Sequence, residues 1–491
     1  MNHMKYILHS IILLLSLSVC AQNVTFTSQL YKGYDDYKVQ EFTTRRLKHS
    51  DIQPFIETLK SDDVYTVKRV GTSIEGRDIN LISVGSGPVN VFLWSQMHGD
   101  ETTATQAIFD IFNFLNGNHF KDEKEAILSA LTLHFLPMLN PDGAEVFQRR
   151  NALGIDINRD ALRLQSPEGQ ILKRVRDSLN ADFGFNLHDQ SRYYNAERTG
   201  KPATISYLAP AYNYEKEVND VRGNAMKVIV YMNTIIQQYA PGQVGRYNDD
   251  FEPRAFGDNI QKWGTSAILI ESGGYKNDQE KQEIRKLNYV SILSAIYVIA
   301  NREYKQIDIA DYEKIPKNDR KLFDLKLTEL TYNLHGTPYV LDLGINYTET
   351  DIKEHADYYN VGRIIDQGDL STYYGFDTFN AKGYTLIPGK IYTKVFKTVA
   401  DLKSKTITKL LQQGYTYVRV LDLEDSEKFT ALPINIVNEN YKLPEFNLGV
   451  GVNPSFLLQK DNVVHYAVVN GFLINLNEEN RVFKNALIFK D

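Results

Sequence analysis

The sequence has almost no cysteine: the single residue of this type among 491 is Cys20, close to the N-terminus. A chain without further cysteines forms no internal disulfides and offers no thiolate to a metal ion, so any bound metal must be held by histidine and carboxylate side chains. The sequence also lacks an excess of positive charge. Its net charge of -6 and pI near 6.0 exclude the basic footprint of a protein that binds nucleic acid or an anionic membrane surface.

A hydrophobic run long enough for a transmembrane helix is missing as well. The apolar stretch from about Tyr6 to Val19 is too short for a bilayer, but it follows a lysine and ends in small residues. This arrangement predicts a secretory signal peptide over residues 1–21, cleaved after Ala21, and therefore export to the periplasm or the cell exterior. A lipoprotein signal with lipidated Cys20 is the alternative, although Val19 fits poorly before such a cysteine.

What the sequence does contain is an alternation of strand-like and helix-like patterns. Nearly continuous apolar runs, typical of strands buried on both faces, are separated by segments with apolar residues at every third and fourth position. The strand-like runs are "VNVFLWSQ", "ALTLHFLPML", "ADFGFNLHDQ" and "TSAILIESGG". This order predicts an α/β domain with a mixed, largely parallel sheet flanked by helices, over residues 22–305.

The composition changes after this region. Residues 306–323 are rich in charge and poor in apolar side chains, which predicts a linker. Residues 324–491 contain short strand-like runs broken by glycine, asparagine and proline, such as "YTYVRVLDLE" and "HYAVVNGFLINL". We therefore expect a β-rich accessory domain at the C-terminal end, to which the sequence assigns no chemistry.

Polar residues end four of the strand-like runs of the α/β domain, at His98, Asn140, His188 and Glu271. Because sites in open α/β sheets form at the carboxyl ends of strands, these residues point to one shared site. His98 and Glu101, three residues apart, could both be metal ligands. Such a pair arises about once by chance in a chain with 10 histidines, so a solvated helix N-terminus is the alternative reading.

Two further features bear on the same site. The loop "RRNALGIDINRD" carries Arg149, Arg150 and Arg159, and a guanidinium group can bind a carboxylate through two hydrogen bonds or stabilise an oxyanion. Glu271 ends an otherwise apolar run, where burial would raise its pKa toward that of a general base. Taken singly, the loop could be an ordinary charged surface, His188 a core histidine and Glu271 half of a salt bridge.

As an ordered set, these segments resemble the M14 family of zinc metallocarboxypeptidases. The resemblance rests on "VGTSIEGRDI", "HGDE", "LNPDG", "RRNALGIDINRD", "NLHD" and "IESGG", which occur in the family's order between about Tyr65 and Ala300. It implies that His98, Glu101 and His188 hold one zinc ion per chain. It also implies that Glu271 is the general base that activates water.

The resemblance extends to the substrate-binding residues. It implies that Arg149 stabilises the oxyanion, with Arg150 as the less favoured candidate, and that Asn158 and Arg159 bind the terminal carboxylate of a peptide substrate. It also implies a capping tyrosine upstream of the base; Tyr247 is the nearest candidate, at a spacing that fits only approximately, and a plain loop aromatic is the alternative.

One position departs from the family pattern. Asp160 follows Arg159 where members usually have asparagine, so we expect a negative charge beside the carboxylate anchor that either weakens it or orients Arg159 through an ion pair. The sequence thus predicts an exported zinc metallocarboxypeptidase. An exported metallo-amidase acting on cell-wall or other modified peptides, and a non-catalytic peptide- or glycan-binding scaffold, stay open as alternatives.

Overall fold

The computed structural model describes residues 25–478 and 483–490 and divides the chain into two units, Met1–Arg320 and Lys321–Asp491. The signal peptide predicted over residues 1–21, with Cys20, lies outside the described residues. Among the helices that are described, none is both long and apolar enough to cross a membrane.

The first unit is built on one mixed sheet of eight strands. In chain order the strands are β1 Thr66–Thr72, β2 Asp78–Gly85, β3 Val89–Ser95, β4 Leu131–Leu136, β5 Phe183–Asp189, β7 Ile205–Leu208, β8 Val244–Arg246 and β9 Ser266–Ser272, with a short strand β6 Asn195–Ala196 outside the sheet. Their spatial order is β1-β2-β4-β3-β5-β9-β7-β8. The central strands β4, β3, β5 and β9 run parallel to one another. Strand β2 pairs antiparallel with β1 and β4, and β7 pairs antiparallel with β9 but parallel with β8.

Helices cover both faces of this sheet. They are α1 His49–Lys60, α2 Thr103–Asn116, α3 Lys121–Ala130, α4 Pro141–Glu145, α5 Pro167–Leu179, α6 Asp220–Ile236, α7 Phe256–Lys262 and α8 Gln282–Ala300, and residues 25–32 are also helical. Successive side chains of a strand point to opposite faces of the sheet, so each strand contributes to the apolar core on both sides. Val91 and Leu93 of β3 belong to the core shared with α2, α6 and α8, while Phe92 and Trp94 belong to the core shared with α5 and α7. The predicted α/β architecture is confirmed.

Helix α2 is buried more completely than its sequence pattern indicates. The apolar positions predict one buried face, yet Thr105, Gln106 and Asp110 on the other positions are buried as well. Each has a partner for its polar atoms: Thr105 hydrogen-bonds to Ser95, Gln106 to the carbonyl of Thr44, and Asp110 to Arg285. Buried polar groups are tolerated here because they are satisfied.

The segment predicted as a linker, residues 306–323, is largely structured. It contains a 3₁₀ turn at Ile309–Lys314 and strand β10 Asn318–Asp319, which pairs with β6. Tyr312 is buried and its hydroxyl accepts a hydrogen bond from the backbone N–H of Ala209. Up to Arg320, these residues therefore belong to the first unit.

The second unit is β-rich, as the sequence predicts. Its described strands are β11 Leu322–Leu334, β12 Thr337–Ile352, β13 Asp357–Gly368, β14 Tyr374–Asn380, β15 Thr385–Pro388, β16 Lys390–Phe396, β17 Tyr415–Val420, β18 Phe429–Thr430, β19 Asn435–Val437, β20 Phe456–Lys460, β21 Val463–Val469, β22 Phe472–Asn475 and β23 Ala486–Phe489. The larger sheet has the order β13-β12-β11-β15-β20-β21-β22, with β14 beside β11, and the smaller sheet has the order β16-β17-β19-β23-β18. One helix, α9 Ser404–Gln412, packs its apolar residues against the described strands.

Candidate active site

The parallel strands β3, β5 and β9 end at one edge of the first sheet. There they border a cleft of about 850 Å³. His98 follows β3, and the pairing of β5 with β9 sets His188 directly opposite Glu271. This shared edge is what brings residues distant in sequence into one site.

His98, Glu101 and His188 converge on one point in this cleft. One carboxylate oxygen of Glu101 lies 2.7 Å from Nδ1 of His98, the other lies 2.6 Å from Nδ1 of His188, and the possible ligand atoms of all three lie within 4.8 Å of one another. Burial acts to raise the pKa of Glu101, but the charges of His98 and His188 outweigh it and hold that pKa below its ordinary value. The carboxylate is therefore ionised, as a metal ligand must be.

The surroundings of the two imidazoles fit a metal site. Nε2 of His98 lies 3.1 Å from a carboxylate oxygen of Asp156, which leaves Nδ1 facing the centre. Metal-binding histidines usually donate their second ring N–H to such a carboxylate. Nε2 of His188 is buried without a hydrogen-bond partner among the described residues. Two imidazole nitrogens and one carboxylate, open to a cleft, are a donor set typical of catalytic zinc.

Close packing explains why glycine occupies position 99, between His98 and Glu101. A Cβ added at Gly99 would lie 2.0 Å from the carbonyl carbon of Gly143, so only glycine allows the two backbones to approach this closely. Asn140, which the sequence groups with the strand-end residues, serves a local role. Its side chain caps α4 by accepting a hydrogen bond from the N–H of Gly143 and does not border the cleft.

Glu271 faces the cleft from β9 and is 8% exposed. No described residue donates a hydrogen bond to its carboxylate, which is thus available to a molecule in the cleft. Burial, followed by the charge of Glu101, raises the pKa of Glu271 well above its ordinary value. A carboxyl group with a raised pKa is suited to accept and return a proton near neutral pH.

The two candidate arginines point in different directions. Arg149 borders the cleft, where its guanidinium lies 3.0 Å from Asp156 and 3.1 Å from Nδ1 of His98. Arg150 is exposed and donates to the carbonyl oxygen of Gly154, away from the cleft. Asp156, which the sequence reasoning did not single out, therefore contacts both Arg149 and His98; it lies within the quoted loop, two residues before Asn158.

Asn158 and Arg159 lie on a neighbouring wall of the cleft. Oδ1 of Asn158 accepts a hydrogen bond from the N–H of Phe256 at the start of α7, which ties this loop to that helix. Asp160 does not pair with Arg159, contrary to one of the two expectations. Its carboxylate accepts hydrogen bonds from the backbone N–H groups of Gln165 and Ser166, and it is buried.

Tyr247 also borders the cleft, just after β8. Its ring packs edge-to-face against Tyr194 with centroids 6.1 Å apart. Burial, followed by the charge of Glu271, raises the pKa of the Tyr247 hydroxyl, so this hydroxyl is a hydrogen-bond donor at neutral pH.

Comparison with known proteins agrees with this geometry. Residues 52–234 match the family described as zinc carboxypeptidase. The chain is 25% identical over 206 residues to carboxypeptidase SOL1 of Arabidopsis thaliana, and this match covers 35% of the chain and 42% of that protein. It is 29% identical over 108 residues to carboxypeptidase M of Mus musculus, and this match covers 18% of the chain and 24% of that protein. Residues 52–234 are thus similar to the zinc carboxypeptidase family, and the chain spans less than half the length of these relatives.

A solved structure is also similar. The metallo-carboxypeptidase of Burkholderia cenocepacia has a TM-score of 0.43 and 17% sequence identity to this chain, covering 52% of this chain and 69% of that one.

Proposed function

We propose that the first unit is a zinc-dependent carboxypeptidase that hydrolyses the last amide bond of a peptide, in a protein exported by the signal peptide over residues 1–21. The observation that carries the proposal is the juxtaposition of two groups in the cleft. The His98, Glu101 and His188 donors converge on one point, and the unpaired carboxylate of Glu271 stands beside His188 on the adjacent strand.

In this proposal, His98, Glu101 and His188 would hold one zinc ion. A zinc ion so bound acts as a Lewis acid toward water and the substrate carbonyl. The carboxylate of Asp156 fixes the ring of His98 through Nε2, so that the same nitrogen, Nδ1, faces the cleft throughout.

Glu271 carries the proton through the reaction. Its carboxylate accepts a proton from the attacking water as the water oxygen bonds to the carbonyl carbon, and it then delivers that proton to the nitrogen of the leaving amine as the C–N bond breaks. The guanidinium of Arg149 stabilises the negative charge that develops on the carbonyl oxygen. Because Arg149 is already held by Asp156, little reorganisation is needed as this charge appears.

Asn158 and Arg159 bind the terminal carboxylate and so select the end of the peptide. Tyr247, which follows β8, covers the bound C-terminal residue and offers its hydroxyl as a hydrogen-bond donor. These roles distinguish a carboxypeptidase from an amidase that needs no free carboxylate.

A peptide and its C-terminally amidated twin should separate these two activities. Loss of the carboxylate removes a charged hydrogen-bonding partner of Arg159, so we expect kcat/KM to fall by about 10- to 100-fold on the amidated peptide. Release of the C-terminal residue is measured by mass spectrometry, with and without a zinc chelator. Equal cleavage of both peptides would identify a metallo-amidase instead, and chelator-insensitive cleavage would contradict a metal-dependent reaction.

Metal content provides a test that does not depend on substrate. The zinc-loaded chain should hold one zinc ion. Losing a residue that only hydrogen-bonds to a metal ligand typically weakens metal binding by roughly 10- to 100-fold. His188→Ala should weaken zinc binding by more than this, because it removes a ligand. Plasma mass spectrometry of dialysed protein gives the stoichiometry. His119→Ala is the matched control, since His119 is exposed on a loop. No zinc in the unaltered chain would favour the non-catalytic scaffold.

A further inference from the structure

The strands that carry His188 and Glu271 end one residue beyond them. Their last paired residues, Asp189 and Ser272, lie opposite each other, and the backbone N–H of Gln190 then donates to the carbonyl oxygen of Ser272 at 3.0 Å. The ends of paired segments open more readily than their centres. The distance between a proposed metal ligand and the proposed base is therefore set where the ladder alone holds the two strands least firmly.

One largely buried cation joins the ends of both strands. Nζ of Lys281 donates to Oδ2 of Asp189 at 3.0 Å and to the carbonyl oxygen of Ser272 at 2.9 Å. The side chains of Lys281 and Asp189 are 13% and 8% exposed, so solvent screens their attraction only weakly. Because the two acceptors belong to neighbouring strands, this ammonium group ties β5 to β9 one residue beyond the site.

The carboxylate of Asp189 also contacts the segment that carries Glu101. Oγ1 of Thr103, the first residue of α2, donates to Oδ2 of Asp189 at 2.6 Å. The backbone N–H of Asp189 donates to the carboxylate of Glu101 at 3.2 Å. Asp189 thus connects the Glu101 segment to β5, and Lys281 adds β9 to the same cluster.

The backbone around Lys281 holds this side chain in place. Lys281 precedes α8 with a φ of 53°, in the left-handed region that residues other than glycine seldom adopt. Its N–H donates to the carbonyl oxygen of Asp278, whose carboxylate accepts from the N–H groups of Gln282 and Glu283. Such a conformation persists only where surrounding contacts fix it. The described residues that border the cleft do not include Lys281, so it acts on a substrate only through the residues it holds.

We propose that Lys281 is a positioning residue of the hydrolytic site: by joining Asp189 to Ser272, it fixes the carboxylate of Glu271 relative to the metal ligands. The inference rests on the proposed carboxypeptidase activity. A shift of about 1 Å in a reacting group can cost on the order of 100-fold in rate. The residues proposed to bind the terminal carboxylate lie on another wall and have other partners, so loss of Lys281 should affect turnover more than substrate binding.

Lys281→Met in the zinc-loaded full chain tests this link, because methionine keeps most of the apolar stem and removes the ammonium group. We expect kcat to fall by about 10- to 100-fold while KM stays within about threefold and one zinc ion is retained. Initial rates are measured on benzoylglycyl dipeptides ending in phenylalanine, lysine and glutamate. Each rate is divided by the zinc content of the same sample, so that loss of folded or metal-loaded protein does not count as loss of turnover.

A double variant separates positioning from general damage to the fold. If Lys281 acts through Glu271, adding Lys281→Met to Glu271→Gln should lower the residual kcat by no more than about twofold, since the group that Lys281 positions is already inactive. If Lys281 only supports the fold, the same addition should lower kcat as much as it does in the unaltered chain. An equal loss in both backgrounds would overturn the proposal.

Lys314→Met is the matched control. Lys314 forms an ion pair with Asp311 at 2.6 Å in the same unit, but the two side chains are 75% and 44% exposed, so kcat should stay within about twofold. If calorimetry shows that Lys281→Met is unfolded, Lys281→Gln takes its place under the same criteria. An unchanged kcat in the Lys281 variant, or an equal fall in the control, would overturn the role of Lys281 while the carboxypeptidase activity stands. Failure of the unaltered chain to cleave any of the three dipeptides would overturn both.

Discussion

Replacing Glu271 by glutamine should lower kcat for peptide hydrolysis by about 10³-fold or more, while the chain keeps its zinc, because a positioned general acid-base contributes roughly 10²- to 10⁴-fold. The amide has almost the same shape as the carboxylate but cannot accept the proton of water. Glu271 lies next to His188 without serving as one of the three converging donors, so its replacement leaves that donor set intact.

The measurement pairs the rate with the metal content of the same preparation. Hydrolysis is followed under saturating substrate, and zinc is quantified by plasma mass spectrometry. Glu125→Gln, the same substitution at an exposed position on α3, is the control and should retain full activity. Activity in Glu271→Gln above about a tenth of the control would show that another group moves the proton, whereas loss of zinc would show that Glu271 supports the metal site.

The electrostatics of the site link Glu271, the proposed base, to the proposed metal ligands. Burial is the main reason that the pKa of Glu271 is raised, and the charge of Glu101 is the next. A divalent cation bound by Glu101 offsets that charge and thereby favours the ionised base. Metal binding and an active base are thus expected to occur together.

The sequence predicts the strands and their polar ends, because buried strands have a simple apolar pattern. It cannot predict that His188 lies opposite Glu271. That contact depends on the register between β5 and β9, which is set by packing across the whole sheet. The family resemblance supplies the grouping that periodicity alone does not.

Close backbone contacts and hydrogen-bond partners are harder still to predict. Local spacing does not predict the close contact of Gly99 with Gly143, where a side chain larger than that of glycine would not fit. It places Asp160 beside Arg159, whereas its carboxylate turns inward to the backbone at Gln165 and Ser166. In both cases the deciding partner comes from outside the motif's own pattern, so local spacing carries no signal for it.

The N-terminal residues offer a further example, since the sequence leaves their role open. Tyr34 and Val39 both donate hydrogen bonds to Asp110 of α2, and Arg285 of α8 donates to the backbone carbonyls of Val39 and Phe42. Asp110 and Arg285 themselves form an ion pair at 2.5 Å with both side chains fully buried. This cluster joins the N-terminal residues to two core helices, so they are a structural part of the first unit.

Replacing Arg285 by methionine should therefore destabilise the first unit strongly. The change leaves Asp110 as a buried charge without its cation, and such an uncompensated charge costs about 3–5 kcal/mol. For a domain of this size the melting temperature should fall on the order of 5–10 °C, as measured by differential scanning calorimetry of the full chain.

The control is Lys60→Met, which breaks an ion pair of similar length in the same unit. Lys60 and Glu57 lie 2.7 Å apart on α1, but their side chains are 38% and 62% exposed. Water solvates both groups, so losing this pair should change the free energy of unfolding by only about 0–1 kcal/mol. Equal effects of the two variants would mean that the Asp110–Arg285 pair does not hold the N-terminal residues in the core.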